Sequence, residues 1–140
     1  MKRLIFITSL FAAINACGGI VADTLYLEAR GENPRGLRAV ATVVHNRAKN
    51  TGKTFEAVCL QPFQFSCWNT PKTRKIAPKT RSDAKAYGTS LAIEKELLMG
   101  DFEPLGEWTH YYNPRLCSPK WARYGQSKTQ IGNHIFLKTR

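Results

Sequence analysis

Two glutamates separated by about one helical turn are the side chains of this chain best suited, by type and spacing, to acid–base chemistry. They are Glu28 and Glu32, and they lie within the stretch LYLEARGENPRGLRAV, with Gly31 between them. Cleaving a glycosidic bond near neutral pH requires a carboxyl group that still carries its proton, and an apolar or aromatic surrounding favours that neutral form. The elements around the two glutamates therefore decide whether either can act as a catalytic acid.

Glu28 is predicted to face the interior near the end of a helix. Residues 21–30 have a helical pattern, in which Val21, Leu25 and Glu28 recur at i, i+4 and i+7 and share one face. This placement favours Glu28 as the acid. A helix-end charge with no catalytic role is the alternative, and the residues alone leave it open.

Glu32 is predicted to have a structural role. Gly31 can end the first helix, so Glu32 is expected in the turn that follows it. In that turn Arg30 or Arg35 could pair with the Glu32 carboxylate. The two glutamates are therefore expected to do different work.

Two further helices are predicted from their capping residues. The second helix begins with Asn33 as its N-cap and Pro34 at its first position, and it extends to about Lys49, where Asn50-Thr51-Gly52 stops it. The third extends from the N-cap Ser82 to Gly100. The apolar stripe of the second helix is predicted to comprise Leu37, Val40, Ala41 and Val44, and that of the third Ala84, Tyr87, Leu91 and Leu98.

The rest of the chain is predicted to contain loops and a small sheet. A short helical turn is expected over residues 54–58, and residues 60–81, which contain three prolines, read as loop. Residues 108–112 and 134–137 read as two short strands that pair in an antiparallel manner. The predicted fold class is therefore α+β, a mostly helical domain with a small antiparallel β-hairpin.

The charge of the chain indicates an anionic partner. The 140 residues are 43% hydrophobic and carry a net charge of +11. Such an excess favours nucleic acid, an acidic membrane surface or an anionic cell-wall polymer. The basic run at residues 72–81 follows several aromatic residues, a combination typical of single-strand binders. An exported chain has little access to nucleic acid, however, so no nucleic-acid partner is expected.

Residues 1–17 have the architecture of a signal peptide or of an uncleaved signal anchor. The first three residues are Met-Lys-Arg, a mostly apolar run follows, and small residues come next. The predicted organisation is therefore an export segment at residues 1–17 and one domain at residues 18–140. The expected location is the periplasm, the cell wall or the extracellular space, with membrane tethering if the segment stays uncleaved.

Export would favour disulfides among the four cysteines, because the compartments outside the cytosol are oxidising. Cys17, Cys59, Cys67 and Cys117 allow three pairings. Either Cys59 or Cys67 could staple the loop that the two residues bracket, and the sequence leaves the partners open.

The sequence lacks the motifs of metal and nucleophile catalysis. It contains no HExxH, no CxxC and no GxSxG, so neither a zinc site nor a serine nucleophile is predicted. No metal or cofactor is expected. His45 is predicted to pack or to lie on the surface, whereas His110 and His134 fall on the predicted strands among aromatic residues.

Four blocks, in order, resemble the SleB-type spore-cortex-lytic cell-wall hydrolases. They read LYLEARGENPRGLRAVATVVHNR, QPFQFSCW, THYYNPRLCSPKW and IGNHIF, and together they extend over about residues 18–137. Because four ordered blocks are far more specific than any single motif, the chain is identified as a member of that family.

The resemblance implies a lysozyme-like fold that cleaves peptidoglycan glycan strands between N-acetylmuramic acid and N-acetylglucosamine. The first glutamate of the family's Glu-Ala-Arg-Gly-Glu motif is its catalytic acid, and it falls on Glu28. The family is similar to lytic transglycosylases, in which a single acid produces 1,6-anhydro ends without metal or water. A hydrolytic muramidase, a zinc amidase and a non-catalytic wall-binding protein are the alternatives.

The same resemblance suggests which residues shape the cleft and bind sugar: Glu32, Gln64, Tyr111, Tyr112 and His134. Alternation along a strand predicts that one of the two tyrosines faces the core and the other the cleft. The expected partner is the peptidoglycan glycan strand. No stable protein partner is implied, and an uncleaved N-terminus would anchor the protein transiently to a membrane.

Overall fold

The computed structural model describes residues 19–69, 76 and 78–139, and residues 1–17, with the predicted export segment and Cys17, lie outside the described residues. Its elements follow the chain in the order of four α-helices and then three β-strands. Short 3-10 turns at Ser66–Trp68 and Lys120–Tyr124 separate some of them. The helices are α1 Ile20–Ala29, α2 Pro34–Thr51, α3 Phe55–Leu60 and α4 Arg81–Met99, and the strands are β1 His110–Tyr112, β2 Gln126–Ile131 and β3 His134–Lys138.

Helix α2 begins at its predicted N-cap and ends at the predicted stop, two residues beyond Lys49. The Asn33 side chain accepts a hydrogen bond from the backbone N–H of Gly36, and Pro34 occupies the first helical position, where no N–H is needed. Gly52 ends the helix in the left-handed conformation, at φ 68°. The predicted apolar stripe of this helix is confirmed, because Leu37, Val40, Ala41 and Val44 are all buried.

Helix α1 lies at the centre of the fold and contacts α2, α3 and α4. Leu25 is fully buried and Val21 is almost so, which confirms the inward face predicted for this helix. Glu28 follows on the same face and is half-buried, at the point where the helix is about to end. The helical core thus carries the carboxylate to the edge of the packed interior.

Helix α4 buries a different face from the one predicted. Thr80, rather than Ser82, is its N-cap and accepts a hydrogen bond from the N–H of Asp83. Ala84 and Leu98 of the predicted stripe are exposed. The buried positions also recur with helical spacing, and they are Ala86, Ser90, Ile93 and Leu97. Two such registers fit this sequence, and packing against α1 and α2 selects the one that buries small Ala86 and Ser90.

The sheet has three antiparallel strands in the order β1–β3–β2. The predicted pairing of β1 with β3 is confirmed, with Tyr111 opposite Phe136. The predicted two-stranded hairpin is incomplete, however, because β2 and β3 form the hairpin and β1 adds to its other edge. Strand β2 reads QSKTQI and is almost wholly exposed. Because its residues are polar up to the last one, the sequence shows no alternation of apolar and polar residues that would predict a strand.

Cys59, Cys67 and Cys117 form no disulfide with one another, so the expected staple across the loop is absent from the described part of the chain. Cys59 and Cys67 are buried and Cys117 is exposed. Burial raises the pKa of the Cys59 thiol to about 12, which keeps that thiol protonated at neutral pH.

The helices of the described segments are too short or too polar for a transmembrane span.

Candidate active site

Three donors from distant parts of the chain surround the Glu28 carboxylate. The Tyr111 hydroxyl donates to Oε2 at 2.9 Å. The backbone N–H of Cys67 donates to Oε1 at 3.1 Å, and the Ser66 hydroxyl lies 3.4 Å from the same oxygen. Both carboxylate oxygens are therefore fixed in direction, as a group that transfers a proton to a defined atom requires.

The 3-10 turn at Ser66–Trp68 is held against α1 by packing and one hydrogen bond. The Trp68 indole N–H donates to the hydroxyl of Thr24 at 2.9 Å, and Thr24 is fully buried one turn before Glu28. Phe65, which precedes the turn, is also buried. The turn therefore presents the Cys67 N–H to Glu28 from a fixed position.

The Cys67 thiol shares the environment of Glu28. Burial raises the pKa of this thiol, and the charge of Glu28 and a hydrogen bond between the two side chains raise it further. Cys67 is therefore a neutral neighbour of the carboxylate at physiological pH, and its high pKa argues against a nucleophilic role.

Tyr111 is held rigidly where it meets Glu28. Its ring stacks on Phe136 of the neighbouring strand, with ring centroids 5.5 Å apart and an interplanar angle of 28°. Burial, and then the nearby charge of Glu28, raise the pKa of the Tyr111 hydroxyl well above its usual value. Tyr111 is therefore a neutral hydrogen-bond donor throughout the physiological range.

Glu32 binds the turn between β2 and β3. Its Oε1 accepts a hydrogen bond from the backbone N–H of Asn133 at 3.1 Å and lies 3.1 Å from His134 Nδ1. The pairing predicted with Arg30 or Arg35 is wrong, because the Glu32 side chain turns inward and is only 9% exposed. Arg30 instead lies over the ring of Tyr26.

His134 connects the two glutamates through one aromatic contact. Its ring meets Tyr111 edge-on, with centroids 5.3 Å apart and an interplanar angle of 80°. A chain of contacts therefore leads from Glu32 through His134 and Tyr111 to Glu28. Through these contacts, Glu32 and the hairpin turn support Tyr111, which donates a hydrogen bond to the Glu28 carboxylate. None of these contacts joins Glu32 to Glu28 directly.

A cleft of about 430 Å³ adjoins Glu28 through Tyr111, which lines it. Gln64 lies in its wall, and Trp121 is 40% exposed there. Tyr112 packs edge-on against Trp121, at 5.9 Å between ring centroids. As neighbours in a strand, Tyr111 and Tyr112 lie on opposite faces of β1. The full set of described lining residues is Arg47, Phe63, Gln64, His110, Tyr111, Trp121 and Thr139.

Of the residues suggested for sugar binding, the structure brings Gln64 and Tyr111 to the cleft. It places Tyr112 against Trp121, which lines the cleft, and it places Glu32 and His134 at the hairpin turn. The suggested set did not include Arg47, Phe63, His110, Trp121 and Cys67. Trp121 and Phe63 are aromatic residues within the quoted sequence blocks, and that is the signal that could have identified them.

Phe63 combines strain with exposure at the rim of the cleft. It is 87% exposed and has a positive φ of 61°, a conformation unfavourable for a bulky residue. Exposed aromatic rings beside a cleft are suited to stacking on ligands, and strained residues of this kind cluster at functional sites. Strain and exposure together make Phe63 a candidate for stacking on a ligand.

Replacing Phe63 tests both properties together. Phe63→Gly and Phe63→Ala both remove the ring, and each is expected to weaken substrate binding about two- to tenfold. Only glycine relieves the left-handed backbone, so the free energy of unfolding of Phe63→Gly should exceed that of Phe63→Ala by about 0.5–1 kcal/mol. Denaturant unfolding and KM measured on both variants decide this, and equal stabilities would show that the conformation carries no strain.

A larger cavity of about 980 Å³, elsewhere in the molecule, holds a carboxylate that competes for a catalytic role. Glu94 lines it, and burial raises the pKa of that carboxyl group. However, Glu94 Oε2 accepts the backbone N–H of Ala22 at 2.7 Å, in the first turn of α1, where the N-cap Gly19 supplies no side-chain acceptor. Glu94 therefore caps α1, which accounts for its position without catalysis.

In the part of the chain that the structure describes, no cluster of three or more His, Cys, Asp and Glu side chains could hold a metal ion.

Comparison with known proteins identifies the family. Residues 31–137 match the family described as Cell Wall Hydrolase, which is more than half of the chain. The chain belongs to the cell wall hydrolase family. The matched residues include Glu32, the cleft residues apart from Thr139, and the strands as far as Leu137, whereas Glu28 precedes the match. The predicted resemblance is confirmed.

Curated relatives of this cell wall hydrolase are spore cortex-lytic enzymes. The Bacillus cereus protein is 27% identical over 124 residues, which cover 85% of this chain and 43% of the relative. The Oceanobacillus iheyensis protein is 28% identical over 127 residues, covering 85% of this chain and 40% of the relative. The chain thus spans about two fifths of the length of the curated relatives it matches.

Two solved structures are similar to this cell wall hydrolase over most of their length. The catalytic domain of the germination-specific lytic transglycosylase SleB from Bacillus anthracis has a TM-score of 0.63 and 26% identity, with 85% of this chain and 91% of that domain covered. The catalytic domain of Bacillus cereus SleB has a TM-score of 0.62 and 26% identity, with 85% and 87% covered. The predicted lysozyme-like α+β class is confirmed by this likeness.

Proposed function

We propose that this cell wall hydrolase cleaves the peptidoglycan glycan strand between N-acetylmuramic acid and N-acetylglucosamine, with Glu28 as its single catalytic acid. The observation that carries the proposal is the position of one half-buried carboxylate whose donor, Tyr111, also lines the cleft. The likeness to SleB catalytic domains supports a lytic transglycosylase rather than another wall enzyme.

In the first step, Glu28 gives its proton to the glycosidic oxygen that leaves with N-acetylglucosamine. The bond from that oxygen to the muramic anomeric carbon breaks, and positive charge develops on the muramic ring. Glu28 becomes a carboxylate, which Tyr111 and the Cys67 N–H are positioned to stabilise by hydrogen bonds.

In the second step, the muramic 6-hydroxyl attacks the anomeric carbon of its own ring. Glu28 takes the proton released from this hydroxyl and returns to its acid form. The product is a 1,6-anhydromuramic end, so no water is consumed and no second carboxylate is needed. One residue therefore serves first as acid and then as base.

The arrangement of the other acids supports a single-acid mechanism. Hydrolysing glycosidases generally use a second carboxylate as nucleophile or base. Here Glu32, the nearest acid in the sequence, is bound to the hairpin turn and to His134. A hydrolytic muramidase with Glu32 as its second carboxylate is the remaining candidate, and its product is different.

We assign the remaining site residues by their contacts. Glu32 and His134 act as positioning residues, because they support Tyr111 and the turn. Gln64 faces the sugar from the cleft wall, and Tyr112 supports Trp121, which offers a stacking surface. The overall positive charge would hold the protein on the anionic wall after export, with residues 1–17 serving as a signal peptide or membrane anchor.

Digestion of purified peptidoglycan tests this proposal. The turbidity should fall, and chromatography of the soluble fraction should reveal disaccharide–peptides with new muramic ends, in the presence of a chelator as well as without it. Free stem peptides that disappear with chelator would indicate a zinc amidase instead. Retention on the wall with no soluble fragments would indicate a non-catalytic binder.

A further inference from the structure

Arg47 places a half-buried positive charge in the wall of the cleft. Its Nε donates to the carbonyl oxygen of Thr109 at 2.6 Å, and its Nη1 donates to Gln64 Oε1 at 3.0 Å. The guanidinium lies 5.5 Å from the centre of the Phe65 ring. These bonds fix the plane of the group and occupy two of its five N–H donors.

Arg47 has no carboxylate partner within the described residues. The three ion pairs found there join Glu96 to Arg38, Glu32 to His134 and Glu107 to Lys138. All ten Asp and Glu residues of the chain lie in the described segments, so every acidic side chain is included in this comparison.

Burying the Arg47 guanidinium without a carboxylate partner costs folding free energy. Burial lowers the pKa of Arg47, but an arginine stays charged at any physiological pH. A partly desolvated cation without an anion lowers stability, unless a ligand supplies the missing charge. The neutral contacts to Thr109 and Gln64 orient the group without neutralising it.

The other lining residues add no competing charge. His110 Nδ1 lies 3.0 Å from the hydroxyls of Thr109 and Thr139, and burial and the charge of Arg47 lower the pKa of His110. His110 is thus neutral at neutral pH. Arg47 is therefore the one fixed charge among the described residues that line this cleft.

We propose that Arg47 binds a carboxylate of the substrate, so that the cleft beside Glu28 selects muramic residues by their acidic substituent. This inference rests on the proposed function and specifies its substrate class. A planar guanidinium held on one side by backbone and amide oxygens presents its remaining N–H groups to a carboxylate, the acceptor that matches its geometry best.

Two parts of peptidoglycan can supply that carboxylate. One is the lactyl group of muramic acid, which is free only where no stem peptide is attached. The other is a carboxylate within the stem peptide itself. Both present the same chemistry to Arg47, and substrates with and without stem peptides distinguish them.

Cleavage kinetics on charged and neutralised substrates test the assignment. The substrates are intact peptidoglycan, glycan stripped of stem peptides by an amidase, and each of these after its carboxylates are converted to amides. The variants are Arg47→Gln, Arg47→Lys and, as control, Lys49→Gln, which removes an exposed charge from the same helix. The quantity compared is the ratio of KM on amidated substrate to KM on charged substrate, at moderate salt.

Arg47→Gln is expected to lower this ratio about 10- to 100-fold relative to the wild type, because one charge-assisted hydrogen-bonded contact is lost. Lys49→Gln should leave the KM ratio unchanged. Arg47→Lys should lower it only slightly, because lysine keeps the positive charge. A change on intact but not on stripped substrate identifies the stem peptide as the source, and a change on stripped glycan identifies the lactyl group.

The assignment is overturned if the ratio is unchanged in Arg47→Gln. It is also overturned if this variant loses kcat equally on charged and amidated substrates. In both cases the proposed cleavage of the glycan strand still stands. Absence of cleavage by the wild type on every substrate overturns the proposed function itself. If Arg47→Gln does not fold, NMR of the Arg47 side-chain nitrogens in the wild type, assigned through Arg47→Lys, provides the test. These resonances should shift with a soluble disaccharide–peptide and not with its amidated form, and no shift with either overturns the assignment.

Discussion

The variant Glu28→Gln is expected to lose wall lysis, with the rate of fragment release from purified peptidoglycan falling about 100- to 10,000-fold. The amide has nearly the same size as the carboxyl group. Its oxygen can still accept the Cys67 N–H, and its NH2 group can donate to the Tyr111 hydroxyl oxygen in place of the bond that the carboxylate accepts. It cannot donate a proton to the glycosidic oxygen or take one from the 6-hydroxyl. Chemistry is therefore removed while packing is kept.

Glu32→Gln is the matched control for this prediction. Its amide oxygen can still accept the Asn133 N–H, and only the charge opposite His134 is lost, so activity should fall much less. Both variants should unfold at temperatures close to that of the wild type. Retained lysis in Glu28→Gln would remove the catalytic assignment, and equal losses in the two variants would show that their roles are not separate.

Gly132→Ala is expected to have the largest effect on stability, lowering the free energy of unfolding by about 2–4 kcal/mol. Gly132 has a φ of 58°, and a Cβ built there would overlap Glu32 Oε2. Glu32 would have to leave the hairpin turn and give up its bonds to Asn133 and His134. Because His134 contacts Tyr111, activity should fall as well.

Gly52→Ala separates the two causes of this loss. Gly52 has a similar φ of 68°, but a Cβ there would meet nothing within 4 Å among the described residues. The free energy of unfolding of Gly52→Ala should therefore fall by only about 1 kcal/mol, which is the cost of alanine in the left-handed conformation. Denaturant unfolding of both variants gives the difference, and equal losses would mean that the contact of Glu32 with the turn adds no stability.

Much of the helical part of the fold could be predicted because its signals are local. The Asn33 cap, Pro34 and the Gly52 stop act within one turn of α2, so short stretches of sequence specify its ends. The buried face of α4 was not predictable in this way, because two registers fit and only packing against α1 and α2 selects one. Strand β2 was missed since pairing with β3, rather than any hydrophobic pattern, makes it a strand.

The site could be predicted only as far as the first helix extends. The helical period places Glu28 on the face of Leu25, which the structure confirms for the helix. Its donors come from Cys67 and Tyr111, residues far along the chain that only the tertiary fold brings together. Glu32 shows the same limit: its sequence neighbours suggested an arginine partner, whereas the fold brings His134 to it.

The most direct test of the central claim, that Glu28 alone cleaves the glycan strand without water, is mass spectrometry of peptidoglycan digested in heavy-oxygen water. With the wild type, we expect disaccharide–peptides that end in 1,6-anhydromuramic acid and carry no heavy oxygen. Glu28→Gln should release none of these fragments. Reducing muramic ends that contain one heavy oxygen would show that the enzyme hydrolyses the strand instead.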